Sequence, residues 1–182
     1  MMGIIRFLFN KVNYKKFNKK QAEKWAVKNY KSIEIPENVM TVIAEYCKEN
    51  EPIVNHKLRI NLVTDEVMGK IQILDEFLDS YSIDQSIVVF RLINFNPFLE
   101  GNKYTEKGFM STSLVNGDIN VIHNHEYRLK IHLSKGTKGF YVDYISCREG
   151  EYEFLLPRKT TITYINDYLT KDNRHEIECY VS

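Results

Sequence analysis

Apolar residues recur at the spacing of a helix through the first part of the chain. Within residues 17–32, Ala22, Trp25, Ala26 and Tyr30 fall on one face and lysines occupy the others, which predicts an amphipathic helix packed on a core. Similar stripes predict further helices that start at Pro36, run over residues 52–61, and run over residues 64–81 with Thr64 as a favourable N-cap. The first part of the chain is therefore expected to be helical.

From Ser86 onwards the hydrophobic pattern changes from helical spacing to alternation, and turn residues become frequent. In residues 126–133, for example, every second residue is apolar and basic residues lie between, as in a strand with one buried face. Strands are predicted at residues 87–93, 109–114, 126–133, 139–144, 152–156, 160–165 and 174–181. Helices followed by strands predict an α+β fold.

Length and charge limit the classes of protein that need to be considered. With 182 residues and 43% hydrophobic content, the chain is expected to form a single domain over residues 17–182, preceded by an extension over residues 1–16. The net charge is only +1, which gives no support for binding a polyanion through bulk charge. Nucleic acid is therefore not expected as a partner. Separately, the domain is expected to be a monomer.

Cysteine usage and the start of the chain exclude other classes. Cys47, Cys147 and Cys179 are an odd number without CxxC spacing, so they indicate neither a disulfide framework nor a zinc site. The apolar stretch of residues 4–9 is interrupted by Arg6, and it resembles neither a signal peptide nor a membrane span. A membrane is not expected as a partner.

Two polar features interrupt the predicted strands. Arg91 lies in an otherwise apolar run, where it either extends to solvent from an edge strand or clamps a phosphate with its fork of donors. The run Ser111-Thr112-Ser113 offers hydrogen bonds and little apolar packing, although such residues are also common in surface strands. The run does not form a nucleophile elbow, because the GxSxG pattern is absent.

Glu151 and Glu153 form a third polar feature. If both lie in one strand, their side chains share a face and Tyr152 points to the other face. Paired glutamates are often simply solvated, but here Gly150 precedes them and an apolar strand follows, as at the rim of a cleft. Such a pair can stabilise a developing cation, accept a proton or hold a guanidinium.

Taken in order, Arg91, Ser111-Thr112-Ser113 and Glu151-x-Glu153 resemble the Arg, Ser-Thr-Ser and Glu-x-Glu triad of mono-ADP-ribosyltransferase toxins of the clostridial binary-toxin and C3-like group. Residues 54–59 (Val-Asn-His-Lys-Leu-Arg) are similar to the family's Ile-Asn-x-x-Leu-Arg segment, and residues 135–141 and 153–157 are similar to the strands around its acids. The resemblance covers residues 17–165. It implies a helical N-terminal half packed on a mixed two-sheet β-sandwich, with an NAD cleft between the sheets.

The resemblance also implies the roles of the site residues. Glu153 would bind the nicotinamide ribose and stabilise an oxocarbenium-like transition state, and Ser111 would hold Glu153. Arg59 and Arg91 would grip the diphosphate. The implied catalytic residues are Arg91, Ser111, Glu151 and Glu153, and the implied NAD-binding residues are Asn55, Arg59, Arg91, Gly108, Ser111, Thr112 and Glu153.

Glu at position 151 is associated in this family with arginine as the acceptor, because a carboxylate can pair with a guanidinium and deprotonate it. The loop before it, with Cys147 and Arg148, would recognise the target protein, and actin is among the candidates. The resemblance implies a toxin or effector that is secreted or injected and acts in the cytoplasm of the target cell. No metal is expected, because His123 and His125 lack a third ligand.

Three alternatives stay open from the residues. An NAD glycohydrolase would pass ADP-ribose to water instead of a protein. A carbohydrate hydrolase would use two carboxylates at the roughly 6 to 7 Å that separates residues two apart in a strand, but it leaves Arg59, Arg91 and the Ser-Thr-Ser run unexplained. A non-catalytic binding module would not need all three parts of the triad.

Overall fold

The structure is a computed structural model that describes residues 12–117, 125–146, 150–171 and 173–182, apart from the side chains of residues 49–52. Within these ranges the helices precede all the strands. They are α1 (Lys19–Tyr30), α2 (Glu37–Glu45), α3 (Glu51–Arg59) and α4 (Asp65–Asp79), with a π-helical turn at Tyr46–Asn50 between α2 and α3. The strands begin at Ile87, so the α+β class expected from the pattern is the class of this fold.

The first helix follows its sequence pattern closely. Its buried residues are Ala22, Trp25, Ala26 and Tyr30, the four residues of the predicted stripe. Asn18 and Gln21 form a capping box at its start, which satisfies two backbone groups that a helix N-terminus leaves without partners.

The start of the last helix differs from the expectation. Thr64 occupies the N-cap position of α4, but its side chain makes no capping hydrogen bond. Asp65 and Glu66 lie in the first turn, where negative charge interacts favourably with the helix dipole. The start of α4 is therefore stabilised by these acids and not by the threonine hydroxyl.

Eight strands follow. They are β1 (Ile87–Ile93), β2 (Lys103–Thr105), β3 (Met110–Ser113), β4 (Tyr127–Leu133), β5 (Phe140–Tyr141), β6 (Glu153–Leu156), β7 (Thr161–Leu169) and β8 (His175–Val181). The prediction missed β2, which is three residues long and largely exposed, so its sequence lacks the apolar alternation that marks a half-buried strand. Only two residues of the predicted strand at 139–144 are extended, and β7 continues four residues beyond its predicted end.

The strands join into one hydrogen-bonded series in the order β2-β7-β8-β4-β1-β3-β6-β5. The β4–β8 pair is parallel, so the sheet is mixed. A division into two separate sheets, which the resemblance implied, is not seen in this series. The pairing of β1 with β3 has a single register pair, Phe90 with Ser113, whereas β1 pairs with β4 along its full length. Among the strand pairs of this sheet, β1 and β3 therefore share the shortest stretch of pairing.

The helices and one face of the sheet enclose a single core. Ile87, Val89 and Ile93 belong to this core, and Arg91 points to the same face because side chains alternate along a strand. The chain ahead of the predicted domain boundary already contacts the sheet, since Lys15 forms a parallel bridge with Ile87. Cys47 and Cys179 are buried, whereas Cys147 lies outside the described residues.

Candidate active site

Ser111 and Glu153 meet at the centre of the candidate site. They lie on the antiparallel neighbours β3 and β6, and Ser111 Oγ donates a hydrogen bond of 2.7 Å to Glu153 Oε1. Glu153 is only 4% exposed. A buried carboxylate of this kind needs a donor in a fixed position, and the serine supplies one.

All three hydroxyls of the Ser-Thr-Ser run donate to the segment that carries the two acids. Thr112 Oγ1 donates to the carbonyl oxygen of Phe154 at 2.6 Å, and Ser113 Oγ donates to the carbonyl oxygen of Glu151 at 2.7 Å. Together with the Ser111 bond, these contacts hold the acid segment at three residues, Glu151, Glu153 and Phe154. The run therefore has a clear structural use in addition to any contact with a ligand.

The two glutamates do not belong to one strand, which corrects the premise of simple alternation. Strand β6 begins at Glu153, and Tyr152 has a positive φ of 55°, a left-handed conformation that is uncommon for a non-glycine residue. Its side chain is buried, and its hydroxyl donates to Glu23 Oε1 on α1 at 3.0 Å. Glu151 therefore lies in the turn before the strand, and its orientation is set by that turn.

Arg59 and Arg91 converge on one buried carboxylate, that of Glu106. Arg59 donates from Nε to Glu106 Oε1 at 3.0 Å and from Nη2 to Oε2 at 2.9 Å. Nη2 of Arg91 lies 3.7 Å from the same Oε2, and its Nη1 donates to the carbonyl oxygen of Ser111 at 3.3 Å. The structure thus brings together the two arginines that the sequence analysis assigned to the diphosphate.

Glu106 was missed by the sequence analysis. It is 2% exposed, and burial alone would raise its pKa, but hydrogen bonds from Arg59 and from the backbone of Gly108, together with the charge of Arg91, lower the pKa below its usual value. Conversely, the hydrogen bond to Glu106 raises the pKa of Arg59. A lone acid in a connecting segment has no periodicity, so the available signal was its position two residues before Gly108, which leads into the Ser-Thr-Ser strand.

Asn55 and Gly108 form a close contact between α3 and the entry to β3. The Asn55 amide nitrogen donates to the Tyr46 hydroxyl at 3.0 Å and to the carbonyl oxygen of Phe109 at 3.1 Å. Its Oδ1 accepts from the backbone N–H of Phe109 at 2.9 Å. Both amide hydrogens of Asn55 are therefore used within the protein, and the residue acts on the site by holding the chain that leads to Ser111.

Asp143 is a second residue that the sequence analysis missed. Its Oδ2 accepts from the Tyr141 hydroxyl and from the backbone N–H of Gly150, both at 3.2 Å. Its Oδ1 accepts from the backbone N–H of Glu153 at 3.3 Å. The aspartate thus ties the chain before residues 147–149 to the chain after them. Cys147 and Arg148, predicted to recognise the target, lie outside the described residues.

The expected absence of a metal site can be compared with the described part of the chain. There, no group of three or more His, Cys, Asp or Glu side chains is placed to hold a metal ion. His125 Nδ1 lies 2.8 Å from Asn94 Oδ1, and His123 is outside the described residues. Among the helices that are described, none is both long and apolar enough to cross a bilayer.

The geometry combines two kinds of group that act on opposite charges. Glu153, held by Ser111, is a fixed carboxylate that can stabilise a cation. Arg59 and Arg91 are fixed guanidinium groups that can bind an anion such as a diphosphate. Arg91 on β1 donates to the backbone carbonyl of Ser111 on β3, and the Ser111 hydroxyl donates to Glu153 on β6, so both kinds of group contact Ser111.

Comparisons with known proteins show the family of this chain. A family model described as ADP-ribosyltransferase exoenzyme matches residues 22–179, and the chain therefore belongs to that family. The mono-ADP-ribosyltransferase C3 of Clostridium botulinum D phage is 26% identical over 196 residues, which cover 90% of this chain and 77% of that protein. This protein is accordingly an NAD-dependent mono-ADP-ribosyltransferase, with NAD as its substrate.

Solved structures show the same fold. Plx2a, an ADP-ribosyltransferase toxin from Paenibacillus larvae, superimposes with a TM-score of 0.82 at 25% identity, covering 92% of this chain and 98% of that chain. C3stau2 from S. aureus, solved with NAD, gives a TM-score of 0.81 at 24% identity, covering 93% and 99% of the two chains. The fold found here is thus the fold of an ADP-ribosyltransferase.

Proposed function

We propose that this enzyme transfers ADP-ribose from NAD to an arginine side chain of a target protein and releases nicotinamide. The observation that carries the proposal is the hydrogen bond from Ser111 to Glu153, beside the convergence of Arg59 and Arg91. Glu153 is the catalytic carboxylate, since a charge held close to the ribose stabilises the oxocarbenium character that develops as the glycosidic bond breaks.

NAD is oriented with its diphosphate on Arg59 and Arg91 and its nicotinamide ribose at Glu153. Support comes from the hydrogen bond of Arg91 with the Ser111 carbonyl oxygen, which keeps the Arg91 guanidinium close to β3, the strand that carries Ser111. Thr112 and Gly108 shape this strand and its entry, and contribute to NAD binding through it. The NAD cleft is proposed at the β1–β3 junction, where the two strands share a single register pair, and the division into two layers that the resemblance implied is proposed at the same place.

Glu151 receives the acceptor. When the bond between the ribose and nicotinamide breaks, its electron pair leaves with nicotinamide. A guanidinium nitrogen of the target then bonds to the ribose carbon, and its proton passes to the Glu151 carboxylate. The position of Glu151 in the turn before β6, held through its carbonyl by Ser113, suits a group that meets a second substrate at the rim. Cys147 and Arg148 are proposed to contact the target, with actin among the candidates.

The proposed setting is a bacterial toxin or effector that acts as a monomer in the cytoplasm of a target cell after secretion or injection. The toxin name of Plx2a supports the first part. The catalytic domain is proposed to span residues 17–182, although Lys15 already bridges to β1. Size-exclusion chromatography with light scattering measures the molar mass in solution and so tests whether the protein is a monomer.

A second candidate, NAD glycohydrolase activity, is favoured by one observation. The groups assigned to NAD cleavage, Glu153 and Ser111, lie on paired strands, whereas Glu151 lies outside them. Cleavage is therefore complete without the residue that receives the acceptor, and water can take the place of arginine.

One experiment separates these functions. The protein is incubated with NAD labelled in its ADP-ribose part, with and without lysate of target cells, and both free nicotinamide and protein-bound label are measured. Label on protein with an arginine adduct located by mass spectrometry supports the proposal. Nicotinamide release without labelled protein supports the glycohydrolase. Label on another kind of side chain refutes arginine as the acceptor but leaves the transferase activity standing.

A further inference from the structure

Glu106 joins two arginines that come from different parts of the chain. We propose that Glu106 is a positioning residue, which orients the guanidinium groups of Arg59 and Arg91 for the diphosphate of NAD and ties them to the strand that carries Ser111. This inference rests on the proposed NAD-binding roles of the two arginines. It assigns Glu106 no contact with the substrate.

The pairing with Arg59 fixes a guanidinium plane. Both carboxylate oxygens of Glu106 accept from Arg59, at 3.0 and 2.9 Å, in the bidentate geometry that leaves little rotational freedom. The Arg59 side chain is 41% exposed, whereas that of Glu106 is 3% exposed. One edge of the guanidinium therefore faces the protein, and the rest is available to a ligand from solvent.

The pairing with Arg91 extends the same control to the second arginine. Its Nη2 lies 3.7 Å from Glu106 Oε2, and its Nη1 donates to the carbonyl oxygen of Ser111. Arg91 thus lies between Glu106 and the catalytic strand. A shift of the carboxylate would change the positions of both guanidinium groups, and would remove one of the two contacts that hold Arg91 beside Ser111.

The Glu106 carboxylate is held too firmly by its own hydrogen bonds to be displaced from the arginines when the diphosphate of NAD binds. Its backbone N–H donates to Thr160 at 3.0 Å, and its carbonyl oxygen accepts from Lys159 at 2.7 Å. Its carboxylate also accepts from the backbone N–H of Gly108 at 3.0 Å and from the Tyr104 hydroxyl at 3.3 Å. The carboxylate is therefore part of the framework, and the arginines are the groups that it orients.

The direction in which Glu106→Gln changes NAD affinity distinguishes a role in orienting the arginines from a purely electrostatic effect of the carboxylate. The diphosphate is an anion, so a nearby carboxylate weakens the Coulomb attraction of the two arginines for it. If charge alone mattered, Glu106→Gln would tighten NAD binding. If orientation dominates, the same change weakens binding, since loss of a bidentate charge-assisted pair frees both guanidinium groups to rotate.

The test compares Glu106→Gln with wild type in NAD affinity, measured by calorimetry, and in the kinetics of nicotinamide release. We expect the Kd for NAD and for ADP-ribose to rise roughly tenfold, the size expected for one charge-assisted hydrogen bond. The inhibition constant of nicotinamide, which lacks the diphosphate, should change less than about twofold, because the altered groups contact only the diphosphate. The KM for NAD should rise more than kcat falls.

Glu176→Gln is the matched control. Glu176 is likewise a buried carboxylate that pairs with an arginine, Arg128, at 2.6 Å. Arg128 lies opposite Leu92 in the β1–β4 register, so it points to the sheet face opposite that of Arg91. This variant should lose thermal stability and keep wild-type affinity for NAD.

Glu106→Asp keeps the charge on a shorter side chain and serves as a second variant if Glu106→Gln does not fold. It should show the same selective loss of affinity for NAD and ADP-ribose, to a smaller degree. Unchanged or tighter NAD binding in a folded Glu106 variant would overturn the inference. An equal loss of affinity for nicotinamide would also overturn it, because that indicates a general defect. Failure of the wild-type protein to cleave NAD would instead refute the proposed function.

Discussion

Ser111 donates its hydroxyl hydrogen to Glu153 across the β3–β6 pair, at 2.7 Å between Oγ and Oε1. The two residues are diagonal neighbours on one face, because Ser113 is the register partner of Glu153 and side chains two apart share a face. The antiparallel pairing of two short strands is thus sufficient to place a donor beside the Glu153 carboxylate.

Removing this donor should reduce catalysis more than NAD binding. In Ser111→Ala, the Glu153 carboxylate loses a charge-assisted hydrogen bond worth about 1.5–3 kcal/mol, so kcat for nicotinamide release should fall about tenfold to a hundredfold. The KM for NAD should change much less, because Arg59 and Arg91, which are proposed to bind the diphosphate, are unchanged. Steady-state kinetics with wild-type and variant protein give both constants.

Ser113→Ala is the control for that prediction. Its hydroxyl donates to the Glu151 carbonyl and not to Glu153, so nicotinamide release in the absence of an acceptor should stay near the wild-type rate. A loss of hydrolysis as large as in Ser111→Ala would contradict the specific role of the Ser111 hydroxyl.

The two glutamates should separate cleavage from transfer. Glu153→Gln keeps the shape of the side chain but removes the charge that stabilises the cation, so both nicotinamide release and protein labelling should be lost. Glu151→Gln should abolish labelling of the target and keep part of the NAD hydrolysis, because only acceptor deprotonation is removed. Parallel assays of nicotinamide and of labelled protein measure the two activities. Equal loss of both in Glu151→Gln would refute the division of roles.

The sequence predicted those features of the site that lie in regular elements or in motifs. The apolar run around Arg91 predicted β1 with its bounds at Ile87–Ile93, and the Ser-Thr-Ser run lies on a strand paired with that of Glu153. The roles of these residues in NAD binding and catalysis stay predictions.

Residues whose partners are distant in the chain could not be predicted in this way. Glu106 acts through Arg59, 47 positions away, and a pattern in the sequence does not show which carboxylate will meet which arginine. The left-handed turn at Tyr152 also lacks a sequence signal, since only glycine adopts such φ values routinely. The premise that Glu151 and Glu153 alternate in one strand was wrong for this reason.

The contact between Gly108 and Asn55 should not tolerate a side chain. A Cβ added at Gly108 would lie 2.3 Å from Asn55 Oδ1, so Gly108→Ala must displace the amide that holds Phe109. We expect a loss of about 1–3 kcal/mol in the free energy of unfolding, together with weaker catalysis because β3 shifts. Denaturant unfolding with kinetics on the same samples measures both.

Gly69→Ala provides the matched control. Gly69 lies within α4, and nothing lies within 4 Å of an added Cβ there. Alanine should stabilise the helix by roughly 0.5–1 kcal/mol, because glycine loses more backbone entropy on folding, and activity should not change. Equal effects of the two substitutions would show that the Asn55 contact is unimportant.

The stability of the fold should depend on Glu178 in acid. Lys130 Nζ and His132 Nε2 contact Glu178 Oε1 at 2.5 and 2.7 Å. The hydrogen bond with His132, followed by that from Lys130, lowers the pKa of Glu178 from 4.5 to about 2. Because the pKa is lower in the folded protein than in the unfolded chain, the ionised group stabilises the fold above pH 4.5 and this contribution disappears as the pH falls to about 2.

Glu178→Gln should therefore lower the free energy of unfolding at pH 7 by on the order of 1 kcal/mol, after allowance for partial solvent screening. The difference from wild type should shrink as the pH is lowered from 4.5 towards 2. Urea unfolding at a series of pH values measures it, and the exposed residue Glu100 supplies a control in Glu100→Gln, which should follow wild type throughout. A difference between Glu178→Gln and wild type that stays constant over this range would mean that the lost stability comes from packing and not from the charge of Glu178.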